Sequence, residues 1–437
     1  MKKARRFLAL LLALLMLLAT LTACGGKART LMKVDDREIS VNLYQLMLSI
    51  RKGEMAFAIA QSYGNANSAA FWGTVIDDTS STYDDYYTAE VFNKLKSYAA
   101  ALALFDELEL TLPASYVKAV DEEMATLVAE DGDGKKAKLN SILAEFGANY
   151  DILREYKLMV KEVEYLIHSL YGQNGSKISA PLKEDYLKEN YVAFKQILLS
   201  NFYYLFETDK NGDEIYYQND GSIAYDTENG IRKVEDGAFV YYTEDGRIAY
   251  DKEVGRRKPV LDAKGNQVSQ EYTKEEMLDR LNLALKLRDV AENESAATFE
   301  TLRQSYSDEE FGNDYDADAL NYLSTATSYS SISADWKTLD AIAAKLAELE
   351  VGELAILQTD AGIHLIRKYP VEAGAYADER YTQWFTDSLY GVYDFHGNLI
   401  DSLLTARLAA YEAEITVDTS LLKGLSLKSS PSNFYYN

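Results

Sequence analysis

Side chains able to make or break bonds are scarce here: the 437 residues hold one Cys, Cys24, and three His, His168, His364 and His396. A single thiol excludes a disulfide framework within the chain and any Cys-x-x-Cys metal or redox site. His364 lies in Ile363-His364-Leu365-Ile366, an alternation that reads as a strand. That pattern puts the imidazole on the face of Ile366, opposite Ile363 and Leu365, where a hydrogen-bonded structural role is the first expectation. His168 sits inside a helical pattern and His396 beside a glycine turn, and neither is assigned a function. Asp131-Gly132-Asp133-Gly134 superficially resembles a calcium loop but lacks the further oxygen ligands and the closing Glu, so it reads as a turn. No metal or cofactor is expected.

With 45 Lys+Arg against 69 Asp+Glu the formal charge is −24. The first 23 residues hold Lys2, Lys3, Arg5 and Arg6 and no acid, so the other 414 carry −28. That excess argues against nucleic acid, whose binding needs clustered cations that release counterions. At 47% hydrophobic content the chain should fold, and its length suits about two or three domains of roughly 150 residues. Four basic residues followed by the apolar run Phe7 to Leu21 make a secretory signal, too short for a spanning helix. It ends in Leu21-Thr22-Ala23-Cys24-Gly25, which resembles a bacterial lipoprotein signal with Cys24 as the lipidated residue. The expectation is an extracytoplasmic protein tethered to the cell membrane by a lipid on Cys24, the two acyl chains sufficing for stable attachment.

The elements that would position these residues follow from periodicity. A tether at 24–30 leads to a short strand and turn at Val34 to Ser40, and Ser40 can cap a helix carrying Leu43, Leu46, Met47 and Ile50. Helices are expected from about Tyr87 to Glu109, from Pro113 to Ala129, and from Leu139 to Tyr171, and Pro181 starts another through Tyr191. Val192 to Ser200 reads as a buried strand. From Thr208 to Gln270 the composition turns to Tyr, Gly and acid. There Tyr216-Tyr217-Gln-Asn-Asp220-Gly221-Ser-Ile223-Ala224-Tyr225-Asp226 recurs 25 residues on as Tyr241-Tyr242-Thr-Glu-Asp245-Gly246-Arg-Ile248-Ala249-Tyr250-Asp251. Asp-Gly between Tyr-rich runs is a hairpin signal, so this stretch reads as a β-hairpin insertion, with too few copies for a solenoid. Helices follow at Lys274 to Glu292, Ala296 to Tyr306 and Trp336 to Leu349, then strands at Leu354 to Gln358 and Ile363 to Lys368. Two last helices, Asp378 to Leu389 and Leu399 to Ala413, precede a polar tail.

Within 192–369 the order strand, insertion, helix, helix, short strand, helix, strand, strand resembles the parvulin-type peptidyl-prolyl isomerase domain. The matching pieces are Phe194-Lys195-Gln196-Ile197-Leu198, Phe299-Glu300-Thr301-Leu302, Tyr306-Ser307-Asp308, and Val351-Gly352-Glu353 through Asp360-Ala361-Gly362-Ile363-His364-Leu365-Ile366. The flanking helices resemble the chaperone lobe of PrsA- and SurA-like secretion foldases. The resemblance implies an α+β fold class: a mostly helical SurA/trigger-factor-like lobe plus a parvulin-like domain carrying the hairpin-rich insertion. Its implied boundaries are signal 1–23, tether 24–30, helical lobe 31–190, parvulin-like domain 191–372 with insertion 208–270, returning helices 373–425 and tail 426–437.

The resemblance also implies site positions. His364 matches the last-strand His, while Gln196 replaces the first-strand His. Glu309 falls on the Cys/Asp position, Leu339 near the pocket Phe, and Asp335 near the pocket Met. Prolyl isomerisation must overcome an amide barrier of about 18–20 kcal/mol by gripping proline in an apolar pocket and disfavouring the planar amide. Gln196 can hydrogen-bond but cannot rebuild a paired imidazole site, so weak or absent catalysis is expected. The implied partners are unfolded secreted polypeptides and, through Cys24, the membrane; oligomeric state stays open. The alternative is a non-catalytic surface or wall-binding lipoprotein that uses its Tyr-rich insertion.

Overall fold

The computed structural model describes residues 29–63, 68–76, 80–293, 296–309, 315–329, 336–386 and 394–437; the signal, Cys24 and Asp335 lie outside them. The fold class is α+β. Two compact units divide the chain, one up to Ser179 together with His396–Asn437, the other Ala180–Phe395.

In the first unit, β1 (Thr30–Val34) turns back into β2 (Arg37–Ser40). The Ser40 hydroxyl then accepts the Leu43 N–H at 3.2 Å and starts α1 (Val41–Tyr63), as the capping rule requires. A single turn, α2 (Ala69–Trp72), precedes α3 (Tyr83–Glu107), which opens on a Thr82–Asp85 capping box. Then come α4 (Ala114–Glu130), α5 (Lys136–Leu143) and α6 (Tyr150–Tyr171). Sequence periodicity ran through Leu139 to Tyr171 as one helix. The chain breaks there because Gly147 takes φ 71° and the Asn149 side chain caps Ile152, starting a new helix.

The second unit begins with α7 (Ala180–Asn190), which the sequence reading had joined to the helical lobe. It feeds β3 (Tyr191–Ser200). The insertion holds β4 (Phe202–Tyr204), β5 (Tyr216–Tyr217), β6 (Ile231–Glu235), β7 (Ala238–Tyr242), β8 (Arg256–Arg257) and β9 (Ser269–Glu271). After it follow α8 (Lys274–Asn293), α9 (Ala296–Tyr306), β10 (Asn321–Ser324), α10 (Lys337–Glu348), β11 (Leu354–Thr359) and β12 (Gly362–Tyr369). The main sheet is antiparallel in the order β10-β3-β12-β11. Strand alternation gives it two apolar faces. Val192, Phe194 and Ile366 pack with Ile342, Ala343 and Leu346 of α10, whereas Ile197, Leu199, Ile363 and Leu365 pack with Ala284 and Leu287 of α8 and Phe299 of α9.

A helix expected over Asp378 to Leu389 is only the single turn α11 (Thr382–Phe385), preceded by 3-10 turns; residues 387–393 are outside the described set. Asp378 is extended and caps Arg380, so regular helix cannot begin earlier. This segment also belongs to the second unit rather than returning at 373, because Tyr381 and Phe385 bury their rings against Tyr322 and Tyr191. The chain returns to the first unit through α12 (Phe395–Glu414), and β13 (Thr416–Val417) joins β1 in the order β13-β1-β2. The last segment is no polar tail. Leu427 and Tyr436 enter the first unit's core, and the buried Lys52 ammonium holds the Lys428 and Ser430 carbonyls at 3.0 and 2.5 Å. Serines and asparagine there had masked two apolar anchors.

The two copies of the insertion's repeat face each other about a local pseudo-twofold. Tyr225 and Tyr250 pair antiparallel at its centre, where Asp226 N–H donates to Ala249 and Asp251 N–H to Ala224, both at 2.9 Å. Each copy is a hairpin closed by a Tyr–Ile bridge, Tyr217 to Ile223 and Tyr242 to Ile248. Gly230 and Gly255 are equivalent: a Cβ on either would fall 2.5 Å from the carbonyl of Asp226 or Asp251 and under 3.0 Å from Tyr241 or Tyr216. Gly230→Ala and Gly255→Ala should therefore each destabilise the insertion by a matching amount, about 1–3 kcal/mol of overpacking. Limited proteolysis within 205–268 should quicken equally in both variants, and unchanged cleavage would contradict the packing described.

Candidate functional site

Strands β3 and β12 pair from Gly362 opposite Ser200 to Tyr369 opposite Ala193. In that register Gln196 faces Ile366, and its amide reaches diagonally to His364 on the same sheet face. Gly362 opens β12 at φ 142°, and a Cβ there would collide with the Leu199 carbonyl, so glycine is what lets the β11–β12 turn close against β3. That turn brings Thr359, two residues beyond Leu357 on the same face, to the far side of the imidazole.

The result is a hydrogen-bond chain with one direction. Glu309, paired with Arg303 at 3.3 Å, accepts the Gln196 amide N–H at 2.8 Å and the Ser307 hydroxyl at 3.1 Å. The Gln196 carbonyl is thereby turned toward His364, 2.9 Å from Nδ1, and can only accept. So Nδ1 carries the proton, Nε2 is the acceptor, and the Thr359 hydroxyl donates to it at 2.8 Å. The Thr359 oxygen in turn takes the Ala361 N–H at 3.1 Å. Arg303 continues the network to the Tyr315 hydroxyl at 3.1 Å, and Tyr315 donates to Glu300, whose other oxygen binds Lys195 at 2.8 Å.

His364 is 2% exposed and burial alone pushes its pKa down to about 4, so the ring is neutral across the physiological range. With both nitrogens engaged, the imidazole orients its neighbours; it can transfer a proton only by giving up Thr359 or Gln196. Leu339 lies on α10 and packs with Val192, Phe194 and Ile366 on the same sheet face, outside the polar chain. Thus Gln196, Glu309 and His364 are brought into direct contact, Leu339 shares their face, and Asp335 falls outside the described residues. His168 is exposed on α6. Sequence reasoning assigned no role to Thr359, Ser307 or Arg303. Strand parity could have found Thr359, which alternates onto the face of His364; the other two lie on a helix end and a turn that no periodicity aligns with the sheet. Among the described residues no group of three or more His, Cys, Asp or Glu is placed to hold a metal, and no helix is long and apolar enough to cross a membrane.

The low pKa has a signed consequence for stability. Between pH 6.5 and 4 the unfolded histidine binds a proton that the folded one refuses, so stability is full above pH 6.5 and falls as pH drops toward 4. The loss is at most roughly 3 kcal/mol. Urea midpoints measured at pH 7 and pH 4.5 should fall further for the wild type than for His364→Gln, and parallel losses would mean the ring is protonated in the fold.

No protein-family model matches this sequence, and no curated protein does. Among solved structures, PrsA from Bacillus subtilis aligns at 12% identity over 81% of this chain and 93% of its own, with a TM-score of 0.19. Foldase protein PrsA from Streptococcus pneumoniae aligns at 10% identity over 80% and 96%, with a TM-score of 0.19. The PrsA foldase from Lactococcus lactis aligns at 10% over 93% and 100%, with a TM-score of 0.17. At TM-scores this low the superpositions carry no argument, and the functional reading rests on this chain's own residues.

Proposed function

We propose that the protein is an extracytoplasmic foldase that holds unfolded secreted polypeptides and is tethered to the cell membrane through lipid on Cys24. In this reading the described residues up to Ser179 together with His396–Asn437 form the client-holding lobe, and Ala180–Phe395 is a parvulin-like domain with a remodelled site. The observation that carries it is the hydrogen-bond chain Glu309–Gln196–His364, since these are three of the positions that the parvulin resemblance assigns, and they join the turn after α9 to the adjacent strands β3 and β12. Prolyl isomerisation requires no proton transfer, so a neutral, doubly bonded imidazole is compatible with a site that shapes an amide. One imidazole and an amide do not reproduce a paired imidazole site, so holding is the principal activity and isomerisation is slow.

Two measurements test this. An unfolded, reduced client should aggregate more slowly with the wild type and equally slowly with His364→Ala. Prolyl isomerisation should show no rate dependent on His364, with Gln196→His the variant in which a rate would first appear. A rate that drops tenfold or more in His364→Ala would instead make the protein an isomerase. Replacing 205–268 by a short turn should leave client protection intact, because the deletion keeps the β4–β9 pair at the root of the insertion. Loss of client protection in that deletion would contradict the helical-lobe reading.

A further inference from the structure

The insertion contains its own control experiment. Beside one half of its pseudo-twofold lies a cavity of about 510 Å³ between the Asp209–Gly212 turn and the second repeat hairpin. Tyr216 and Tyr250 supply aromatic wall, and Asp213, Thr243, Asp245 and Arg247 supply polar groups. Asp213 accepts from Arg247 through Oδ1 at 2.9 Å, while its Oδ2 is shielded from solvent and has no hydrogen-bond partner. A shielded carboxylate oxygen without a donor is costly unless something else supplies one.

The fold itself does not demand this arrangement. Twenty-five residues away, the other repeat keeps the framework: Tyr241 and Tyr225 stand for Tyr216 and Tyr250, with ring separations of 5.9 Å against 6.3 Å. It carries Ala238 where the first half has Asp213, and Ser222 where the second has Arg247. One half of a near-symmetric scaffold therefore has the carboxylate–guanidinium pair and the other half does without.

The lining also restricts the ligand. Asp213, Asp226 and Asp245 would repel a phosphate or sulfate, while Arg247 and Lys252 oppose a metal ion. Hydroxyl groups both donate and accept, so a polyol can give a proton to Asp213 Oδ2, accept from Arg247 and lay an apolar face on a Tyr ring. We infer that this cavity binds one or two rings of an uncharged saccharide, with Asp213 and Arg247 as the recognising pair. The site is separate from the foldase reading and stands or falls without it.

The test is a titration of the full chain with cellotetraose, maltotetraose, mannotetraose and fully N-acetylated chitotetraose, followed by saturation-transfer NMR and calorimetry. At least one should bind, and Asp213→Ala and Arg247→Ser should each weaken it about tenfold or more, as loss of a charged hydrogen bond implies. The second variant installs the residue that the other repeat already tolerates, which protects the fold. Ala238→Asp, on the opposite half, should leave affinity unchanged. Absence of binding by all four saccharides, or equal affinity in wild type and both variants, would overturn the inference, as would calcium or inorganic phosphate binding there instead.

Discussion

Strand β3 lies between β10 and β12, and its eight-residue pairing with β12 is the constraint on which the second unit depends. A slip of one residue between them would turn one strand over relative to the other and put Gln196 and His364 on opposite faces of the sheet. The turned strand would also present its apolar residues to the wrong core, and the polar chain would be broken between Gln196 and His364. Gly362 secures the register at one end, because only a residue without Cβ passes the Leu199 carbonyl. At the other edge of β3 the turn after α9 locks on through Asp308 N–H to the Leu198 carbonyl at 2.8 Å and Asp308 Oδ2 accepting Ser200 N–H at 2.8 Å. The same turn delivers Glu309 to Gln196.

Much of this was legible before any coordinates. Alternation at Ile363-His364-Leu365-Ile366 gave the right strand and the right face for His364, and the Asp360-Ala361-Gly362 turn fell where β11 meets β12. Ser40 and Pro113 mark helix starts, because a capping hydroxyl and a proline without an N–H act on the first turn alone. What was hidden needed contacts distant in sequence. The segment 426–437 looks polar, yet Leu427 and Tyr436 enter a core whose other buried members all lie between Leu31 and Met159. Asp378 to Leu389 has helical composition, but the burial of Tyr381 and Phe385 against aromatic neighbours takes precedence over propensity. The partners of His364 were equally unreadable as a set, since Glu309 and Thr359 flank elements that become neighbours only once the sheet has formed.

The insertion makes a related point about acidic residues. Asp226 and Asp262 hold backbone N–H groups of Asn229 and Asn266 in their own turns, which keeps both carboxyls below the usual range. Aspartate is thus consumed as turn chemistry, and its abundance there does not by itself signal a ligand. Asp213 differs because one oxygen is left over.

The buried charges have a consequence for how the molecule meets others. Among the described residues, the buried ionisable side chains of Lys, Arg, Asp or Glu type are Lys52, Lys157, Lys195 and Arg303, all cations. Each is spent on internal carbonyls or carboxylates, so fewer cations face solvent than the 45 in the sequence suggest, while every described carboxylate keeps some access to water. An approaching macromolecule therefore meets a surface whose accessible charges are mostly carboxylates, in keeping with the formal charge of −24. Basic, unstructured chains are drawn in and acidic polymers turned away, a selection made before contact that fades as ionic strength rises and the Debye length shrinks below about 8 Å.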